Sequence, residues 1–229
     1  MDNEKNKSLI STGSSNLAKT EKLLSITQKI LSEIKPQFDS IKIGNQEWMT
    51  RNLNVDRFRN GDLIPHVESD EEWIKAGENG QPAWCYYDNY PVNGRMYGKL
   101  YNWYAVNDSR GLAPEGWHVP TDEDWDILVE YLGMFVAGHK MKSVEGWEEW
   151  HIRGDVQKRN GDNSSGFNAR PGGYRSNDGT FYYIREDTWF LSATEYGSSK
   201  TCFRHLDNGY VLKSYSCKEL GASVRCLRD

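Results

Sequence analysis

The sequence is organised around residues 97–125, which read YGKLYNWYAVNDSRGLAPEGWHVPTDEDW. Four large aromatic residues fall close together in this segment: Trp103, Tyr104, Trp117 and Trp125. Their rings bury large areas, while the polar tips of Tyr and Trp still need hydrogen-bond partners, which suits a loop-rich domain with few long helices. We therefore expect this segment to seed the core.

Composition favours one main domain with an appendage, because 229 residues are too few for two domains of comfortable size. Hydrophobic residues make up only 37% of the chain, but aromatic residues reach 13%, so rings must carry most of the burial. The net charge is -5, and the lysines and arginines are scattered along the chain. This pattern predicts neither a nucleic-acid partner nor an anionic membrane.

The amino terminus, MDNEKNKSLISTG, lacks the apolar segment of a signal peptide, and no apolar run approaches the roughly 18 residues of a membrane-spanning helix. We therefore expect a cytoplasmic protein. Four cysteines, Cys85, Cys202, Cys217 and Cys226, form no CxxC pair, so neither a zinc ribbon nor a thioredoxin-like site is expected. In a reducing cytoplasm they are expected to be free thiols.

The first part of the chain predicts a separate helical element. Residues 1–15 are polar and are expected to be disordered, and residues 16–38 predict an amphipathic helix that ends at Pro36. The apolar stripe of this helix either packs on its own domain or contacts another chain, and we favour a partner or self-association through residues 16–35. The stripe repeats at helical spacing and consists of Leu23, Leu24, Thr27, Ile30, Leu31 and Ile34.

Residues 39–229 predict the main domain. It begins with two short strands around a turn at Gly44 and Asn45, and residues 138–179 are rich in the residue types of ordered loops and tight turns. Near the carboxyl terminus, short strand-like runs alternate with turns, including a hairpin signal at residues 207–209. The sequence therefore predicts an antiparallel meander, which ends in a buried strand from Ala222 to Leu227.

Two similar phrases, SDEEW at residues 69–73 and TDEDW at residues 121–125, each begin with a capping hydroxyl followed by carboxylates. Carboxylates are stabilised at the positive end of a helix, so helices are expected to start near residues 70 and 122. The first is expected to end at Gly77 and the second before Gly133. Capping explains the acidic clusters more simply than metal binding.

The sequence carries few candidate catalytic groups. The histidines, His66, His118, His139, His151 and His205, show no spacing that would place two ligands on one metal, and nucleotide-binding and nucleophile motifs are absent from the sequence. Cys202 with His205 nearby is the one faint nucleophilic pair. Glu195 is a possible general base, although the polar cluster of residues 192–195 is more typical of a turn that satisfies backbone groups. We expect no catalytic residue, metal or cofactor.

Several phrases closely resemble the Fibrobacter succinogenes major paralogous domain family, over about residues 41–229. They are IGNQEWMTRNLNV, QPAWCYYDN, YGKLYNWYAV, GLAPEGWHVPTDEDW, GFNARPGGYR, DGTFY, LSATEY and GASVRCLRD. The resemblance implies an α+β, C-type-lectin-like domain of small twisted antiparallel sheets, two flanking helices and much ordered loop. The amphipathic helix would precede it. Because Cys85 and Cys226 lie in matching phrases, the resemblance also implies that they are neighbours in the core.

The resemblance further implies ligand binding. Some family members are similar to the variable proteins of diversity-generating retroelements, in which a carboxyl-terminal segment is rewritten at adenines. Here that segment is about Trp189 to Cys217, and its mix of Tyr and small polar residues resembles an antibody paratope. An ordinary exposed hairpin is the alternative. The predicted ligand-binding residues are Trp189, Tyr196, Ser198, Ser199, Thr201, Phe203, His205, Asp207, Asn208, Tyr210, Ser214 and Tyr215.

Two features depart from the family pattern. Many family members are exported, whereas the amino terminus of this sequence lacks the apolar segment of a signal peptide. A surface or secreted location is therefore the alternative to the cytoplasm. The triplet Gln81-Pro82-Ala83 lacks the carboxylate of a lectin calcium site, so calcium-dependent sugar binding is not expected.

The sequence thus predicts a non-enzymatic recognition protein with a protein ligand. The alternatives are an oxidase similar to formylglycine-generating enzymes, using Cys202 and Cys217, and a purely structural assembly protein.

Overall fold

The computed structural model of the chain divides into two units, Met1–Phe38 and Asp39–Asp229. The described residues are 19–25, 38–152, 155–207 and 209–229. In the first unit, helix α1 covers residues 19–25, and the side chains of Leu23 and Leu24 on it are exposed. The rest of the predicted apolar stripe lies outside the described residues, namely Thr27, Ile30, Leu31 and Ile34.

The second unit is α+β. Its helices are α2 (Asp70–Glu78), α3 (Pro91–Tyr97), α4 (Trp103–Val106), α5 (Asp122–Leu132) and α6 (Ala137–Met141), with a 3₁₀ helix at Tyr87–Asn89. Its strands are β1 (Ser40–Ile43), β2 (Gln46–Met49), β3 (Trp84–Cys85), β4 (Leu100–Tyr101), β5 (Trp117–His118), β6 (Trp150–Ile152), β7 (Asp155–Gln157), β8 (Gly172–Arg175), β9 (Phe181–Ile184), β10 (Trp189–Tyr196), β11 (Lys200–Asp207), β12 (Tyr210–Cys217), β13 (Ala222–Ser223) and β14 (Leu227–Arg228).

The strands form small sheets. One has four strands in the order β1-β2-β14-β5, another has six in the order β12-β11-β10-β13-β4-β3, and β6-β7 and β8-β9 are two-stranded. The expected turn between β1 and β2 is confirmed, with Ile43 opposite Gln46. Among the named strands in the described parts of the chain, the pairings are antiparallel except that of β10 with β13, where Phe190 lies opposite Ser223 in parallel. The purely antiparallel sheets expected from the resemblance therefore include one parallel pair.

The two predicted helix starts are confirmed. The hydroxyl of Ser69 accepts a hydrogen bond from the backbone N–H of Glu72, and Thr121 forms a capping box with Asp124. Both helices carry three carboxylates in the first turn, where they meet the positive end of the helix dipole. Helix α5 ends before Gly133 as expected, whereas α2 extends one residue past Gly77. The short helices α3, α4 and α6 were not predicted.

The core is aromatic, as the composition predicted. Trp48, Trp125, Phe167 and Phe190 are fully buried and contact one another, with ring centroids 4.8 Å apart for the two tryptophans and 5.4 Å apart for Trp125 and Phe190. Such pairs contribute about 0.5–1.5 kcal/mol each beyond the burial of area.

The segment expected to seed this core is divided. Trp125 joins the aromatic cluster, whereas Trp103 and Trp117 are buried elsewhere and Tyr104 is half-buried. The reason is local: Trp125 lies on the inner side of α5, while Trp103 begins α4 and Trp117 lies in the short strand β5.

The prediction of one buried strand from Ala222 to Leu227 is wrong. Ala222 pairs with Tyr101 in the six-stranded sheet, and Leu227 pairs with Trp48 in the four-stranded sheet. The chain between β13 and β14 stays buried and passes from one sheet to the other along the end of β2 and the loop after it. The N–H of Leu53 donates to the carbonyl of Val224 at 2.8 Å, and the N–H of Met49 donates to the carbonyl of Cys226 at 3.0 Å. The carboxyl terminus therefore ties the two sheets together.

Candidate functional site

The candidate site lies on the three long strands β10, β11 and β12. Successive side chains along a strand point to opposite faces, and residues directly opposite each other share a face. One face, the core face, carries Phe190, Leu206 and Val211, which are buried in the aromatic core. The other face, the outer face, carries Trp189 and His205, which lie opposite each other. The expected meander and its hairpin after Asp207 are confirmed.

Charged groups anchor the core face to helix α5. The guanidinium of Arg204 contacts the carboxylates of Asp122 and Asp126, and the ammonium group of Lys213 also contacts Asp122. Arg204 and Asp122 are buried, so the contact between these two side chains is screened little by water. The hydrogen bond with Asp122 raises the pKa of Lys213. This network fixes β11 and β12 against the first turn of α5.

A continuous group of aromatic rings, which we call the aromatic ladder, joins the outer face to the hairpin β8–β9. It consists of Tyr174, Tyr182, Tyr183, Trp189 and His205. The ring of Tyr174 lies 5.7 Å from Tyr182, 5.8 Å from Tyr183 and 5.0 Å from Trp189, measured between centroids. The rings of Trp189 and His205 are stacked at 4.9 Å. Tyr182 and Tyr183 are exposed, and the other three members are half-buried.

The backbone of β9 places two consecutive tyrosines on the same surface. In a regular strand Tyr182 and Tyr183 would point to opposite faces. Tyr183 instead has φ of 61°, which is rare for a residue with a side chain, and Gly173 on the facing strand also has φ of 61°. The alternation is broken there, so both tyrosine rings contact Tyr174. Strained backbone of this kind clusters at functional sites.

Asp187 holds the inner part of the ladder in place. Its carboxylate accepts hydrogen bonds from the indole N–H of Trp189 at 3.1 Å and from the backbone N–H of Thr188 at 2.7 Å. Nδ1 of His205 lies 3.6 Å from the same carboxylate. Burial is the largest cause that raises the pKa of Tyr174, followed by the neighbouring Tyr183. At neutral pH its phenol is therefore a hydrogen-bond donor.

The structure divides the sequence-predicted binding residues among three places. Near the turn between β10 and β11 are Tyr196, Ser198, Ser199 and Tyr215. On the outer face, by strand register, are Trp189, Thr201, Phe203, His205 and Ser214. At the other end of the hairpin are Asp207 and Tyr210, while Asn208 lies outside the described residues.

These places are far apart, and some of the predicted residues are not at the surface. Tyr196 pairs with Lys200 and Tyr210 pairs with Asp207, so the length of β11 separates the two tyrosines. At about 3.4 Å per residue this is roughly 24 Å. Thr201 and Phe203 lie on the outer face but are fully buried, and the ring of Phe203 lies 5.7 Å from that of Trp189.

Sequence reasoning missed Tyr174, Tyr182 and Tyr183. The phrase TFYYIRED carried the available signal, since two adjacent tyrosines next to a buried strand cannot both be buried in a regular sheet. Their contact with Trp189 depends on the positive φ of Tyr183, which a strand-like sequence does not indicate.

The candidate catalytic residues Cys202, His205 and Glu195 do not form a catalytic arrangement. Cys202 and His205 are three residues apart on β11 and therefore point to opposite faces. Glu195 contacts the ammonium group of Lys218, which also donates to the carbonyl of Ser198 at 2.8 Å. The side chains beside Glu195 satisfy backbone groups, as expected: Ser192 Oγ donates to the carbonyl of Pro120.

All four cysteines are free thiols in the structure, in agreement with the expectation. Burial raises the pKa of Cys85 and of Cys226 to about 12, and it also raises the pKa of Cys202 and of Cys217.

Across the described residues, no three His, Cys, Asp or Glu side chains come together as metal ligands do. In the same parts of the chain, no helix has the length and apolar character needed to cross a bilayer.

Fold and surface together define an α+β domain of small sheets with an exposed aromatic ladder. The chain belongs to the Fibrobacter succinogenes major domain family, whose model matches residues 41–228. No curated protein and no solved structure matches the chain.

Proposed function

We propose that residues 39–229 form a non-catalytic recognition domain with a C-type-lectin-like fold, and that the domain binds a protein ligand through the aromatic ladder. The observation that carries this proposal is the placement of Tyr182 and Tyr183 on one surface by the positive φ of Tyr183. A fold under selection for stability alone has no need to expose two adjacent tyrosine rings through a strained backbone.

The chemistry of the ladder suits protein recognition. Tyr and Trp offer large, rigid contact area at low cost in side-chain entropy, and they are enriched among the residues that dominate binding energy. Here the rings stand on paired strands, and Asp187 orients Trp189 and its neighbour His205. Such preorganisation lowers the entropy lost on binding.

The thiols support the non-catalytic part of the proposal. A nucleophilic or oxidation-active cysteine is normally a thiolate in an electropositive and partly exposed setting. Burial instead raises the pKa of Cys202 and of Cys217, which keeps both thiols protonated at neutral pH.

Selection from a phage-displayed library of random peptides tests the proposal, because such a library does not require the natural ligand to be identified. With the domain immobilised, we expect enriched peptides to share one consensus and to compete with one another. A library that shows no enrichment over the bare support would contradict a protein-recognition function.

Helix α1 is proposed to be part of a tether to a partner or to a second copy of the chain. Its exposed leucines Leu23 and Leu24 support this role. The test is light scattering of the full chain and of residues 39–229. If the full chain forms a larger species and residues 39–229 do not, self-association through the helix is supported. If both are monomers, self-association is contradicted and the tether would need a different partner.

We further propose that the segment from Trp189 to Cys217 belongs to a diversified surface. Several predicted variable positions, Tyr196, Ser198, Ser199, Tyr210 and Tyr215, are exposed, which is what tolerance to substitution requires. Sequencing the DNA that flanks the gene tests this idea. A reverse transcriptase gene, with an imperfect repeat of the coding region that differs at adenines, would support it, and the absence of both would contradict it.

A further inference from the structure

A cleft of about 860 Å³ lies where α3 meets the segment after β2 and the loop that carries Asn168, and no residue of the aromatic ladder lines it. This volume falls in the range of small-molecule sites, roughly 300–1,000 Å³. Among the described residues, four arginines line the cleft, Arg51, Arg95, Arg170 and Arg225, against a single carboxylate, that of Glu145. The charge of the lining is therefore four minus one, or +3.

Arg225 is the buried member of this group, with 1% of its surface exposed. Its guanidinium donates four hydrogen bonds to neutral oxygens: two to Oδ1 of Asn52, at 3.0 and 2.6 Å, and one each to the carbonyls of Met49 and Phe167. Arginine has five N–H donors, so one on Nη2 has no acceptor within the described part of the chain. No carboxylate there pairs with Arg225 either. A buried charge without a counter-charge is costly, and an anion in the cleft would offset that cost.

The other arginines are only weakly neutralised. Nη2 of Arg170 lies 3.5 Å from the exposed carboxylate of Glu145. Nε of Arg51 lies 3.7 Å from the carboxylate of Asp39, and the side chains of Arg51 and Asp39 are both exposed. Exposed pairs of this kind contribute little. Arg95 forms no ion pair with any described residue. The positive charge of the cleft is therefore available to a ligand.

Gly98 lets the end of α3 approach the segment after β2 closely. Its φ is 76°, and a Cβ atom there would lie 2.8 Å from the carbonyl oxygen of Leu53 and 2.9 Å from Cβ of Asn52. Only glycine allows this approach without strain.

Hydrogen bonds hold α3 against this segment: the side-chain amides of Asn52 and Asn54 donate to the carbonyls of Tyr97 at 2.8 Å and of Gly94 at 3.3 Å. Asn52 also donates to Ser223 Oγ and accepts twice from Arg225, so its amide is fully used, and the neutral hydrogen-bonding capacity of this wall comes from Asn54.

We propose that this cleft binds a small organic anion, whose carboxylate or phosphate oxygens are held by Arg95, Arg170 and Arg225, and whose hydroxyl or carbonyl groups contact Asn54 and Asn168. Arginine is suited to this role because its planar donors match carboxylate and phosphate geometry. The site shares no residue with the aromatic ladder, so the two proposals stand or fall separately.

The test is an NMR titration of the ¹⁵N-labelled full chain with inorganic phosphate and, separately, with citrate, at constant ionic strength adjusted with sodium chloride. We expect saturable shifts of the backbone amide signals of Asn52, Gly98 and Asn168. The amide signals of Trp189 and His205 should stay in place. Saturation by phosphate alone assigns a phosphate ligand, saturation by citrate alone assigns a carboxylate ligand, and saturation by both assigns an anion site that accepts either group.

The matched variants are Arg95→Gln with Arg170→Gln, and Lys42→Gln with Arg57→Gln as a control that removes the same charge outside the cleft. We expect the first pair to weaken the saturable binding at least tenfold and the control pair to leave it unchanged. Shifts that stay linear for both anions, or an equal loss in both double variants, would overturn the proposal.

Discussion

Tyr196 and Tyr215 stack ring on ring, with centroids 4.0 Å apart and planes 27° apart, although they belong to strands that are not neighbours. Strand β11 lies between them, and the two rings meet over Lys200 and Cys202 on the same face of the sheet. Both rings remain exposed. The pair therefore braces the three-stranded sheet near the turn between β10 and β11.

This stacking predicts an energetic coupling between the two tyrosines. A double-mutant cycle of Tyr196→Ala and Tyr215→Ala, measured by urea unfolding, should give a coupling free energy of about 0.5–1 kcal/mol, because exposed aromatic pairs lie at the lower end of the usual range. The matched control is a second cycle of Tyr196→Ala with Tyr210→Ala. Tyr210 lies at the far end of the hairpin, so no coupling is expected there. Equal couplings in the two cycles would show that the rings do not stack in solution.

Asp122 is predicted to be the most important carboxylate of the sheet–helix network. Asp122→Asn leaves the buried charge of Arg204 with weaker compensation, and it should lower the free energy of unfolding by about 3 kcal/mol. Asp126→Asn is the matched control, because Asp126 contacts the same guanidinium at 2.8 Å with 60% of its side chain exposed. It should cost less than about 1 kcal/mol. A control that costs as much as Asp122→Asn would refute the assignment.

The buried thiols predict a loss of stability in alkali. The ordinary pKa of a thiol is 9.0, and burial raises the pKa of Cys85 to about 12 in the folded protein. The unfolded chain therefore releases this proton first as the pH rises. The contribution of Cys85 to stability is complete below about pH 9 and is lost progressively towards about pH 12.

The measurement compares the wild type with Cys85→Ala by urea unfolding at about pH 8 and about pH 10.5. Between these values the wild type should lose about 2 kcal/mol more than the variant, since each unit of pKa difference corresponds to about 1.4 kcal/mol. Identical pH dependence in the two proteins would mean that the thiol ionises in the folded state.

Local signals in the sequence predicted the parts of the fold that depend on local chemistry. The caps at Ser69 and Thr121 satisfy backbone groups within three residues, so their pattern is visible in the sequence. The split of the last strand was not predictable in this way. Its halves have two residues each, too few for a period, and Ala222 pairs with Tyr101 more than a hundred positions away.

The candidate surface was predicted only in part. Trp189 and His205 belong to the binding segment that the family resemblance implied, and they do lie together. The remaining rings come from β8 and β9, and Tyr183 reaches the surface only through a backbone conformation that no residue pattern announces. The sequence pattern predicts Arg225 only as part of a buried strand, and its place at the cleft depends on contacts with segments far away in the chain.

The most direct test of the central claim is the affinity of library-selected peptides for ladder variants, measured by surface plasmon resonance. The test variant is Tyr182→Ala with Trp189→Ala, and the control is Tyr90→Ala with Tyr131→Ala, two exposed tyrosines outside the ladder. Because aromatic residues at the centre of an interface each contribute about 2 kcal/mol or more, we expect the ladder variant to bind at least 30-fold more weakly. The control variant should bind like the wild type. Unchanged affinity of the ladder variant, with circular dichroism that shows both variants folded, would contradict recognition through the aromatic ladder.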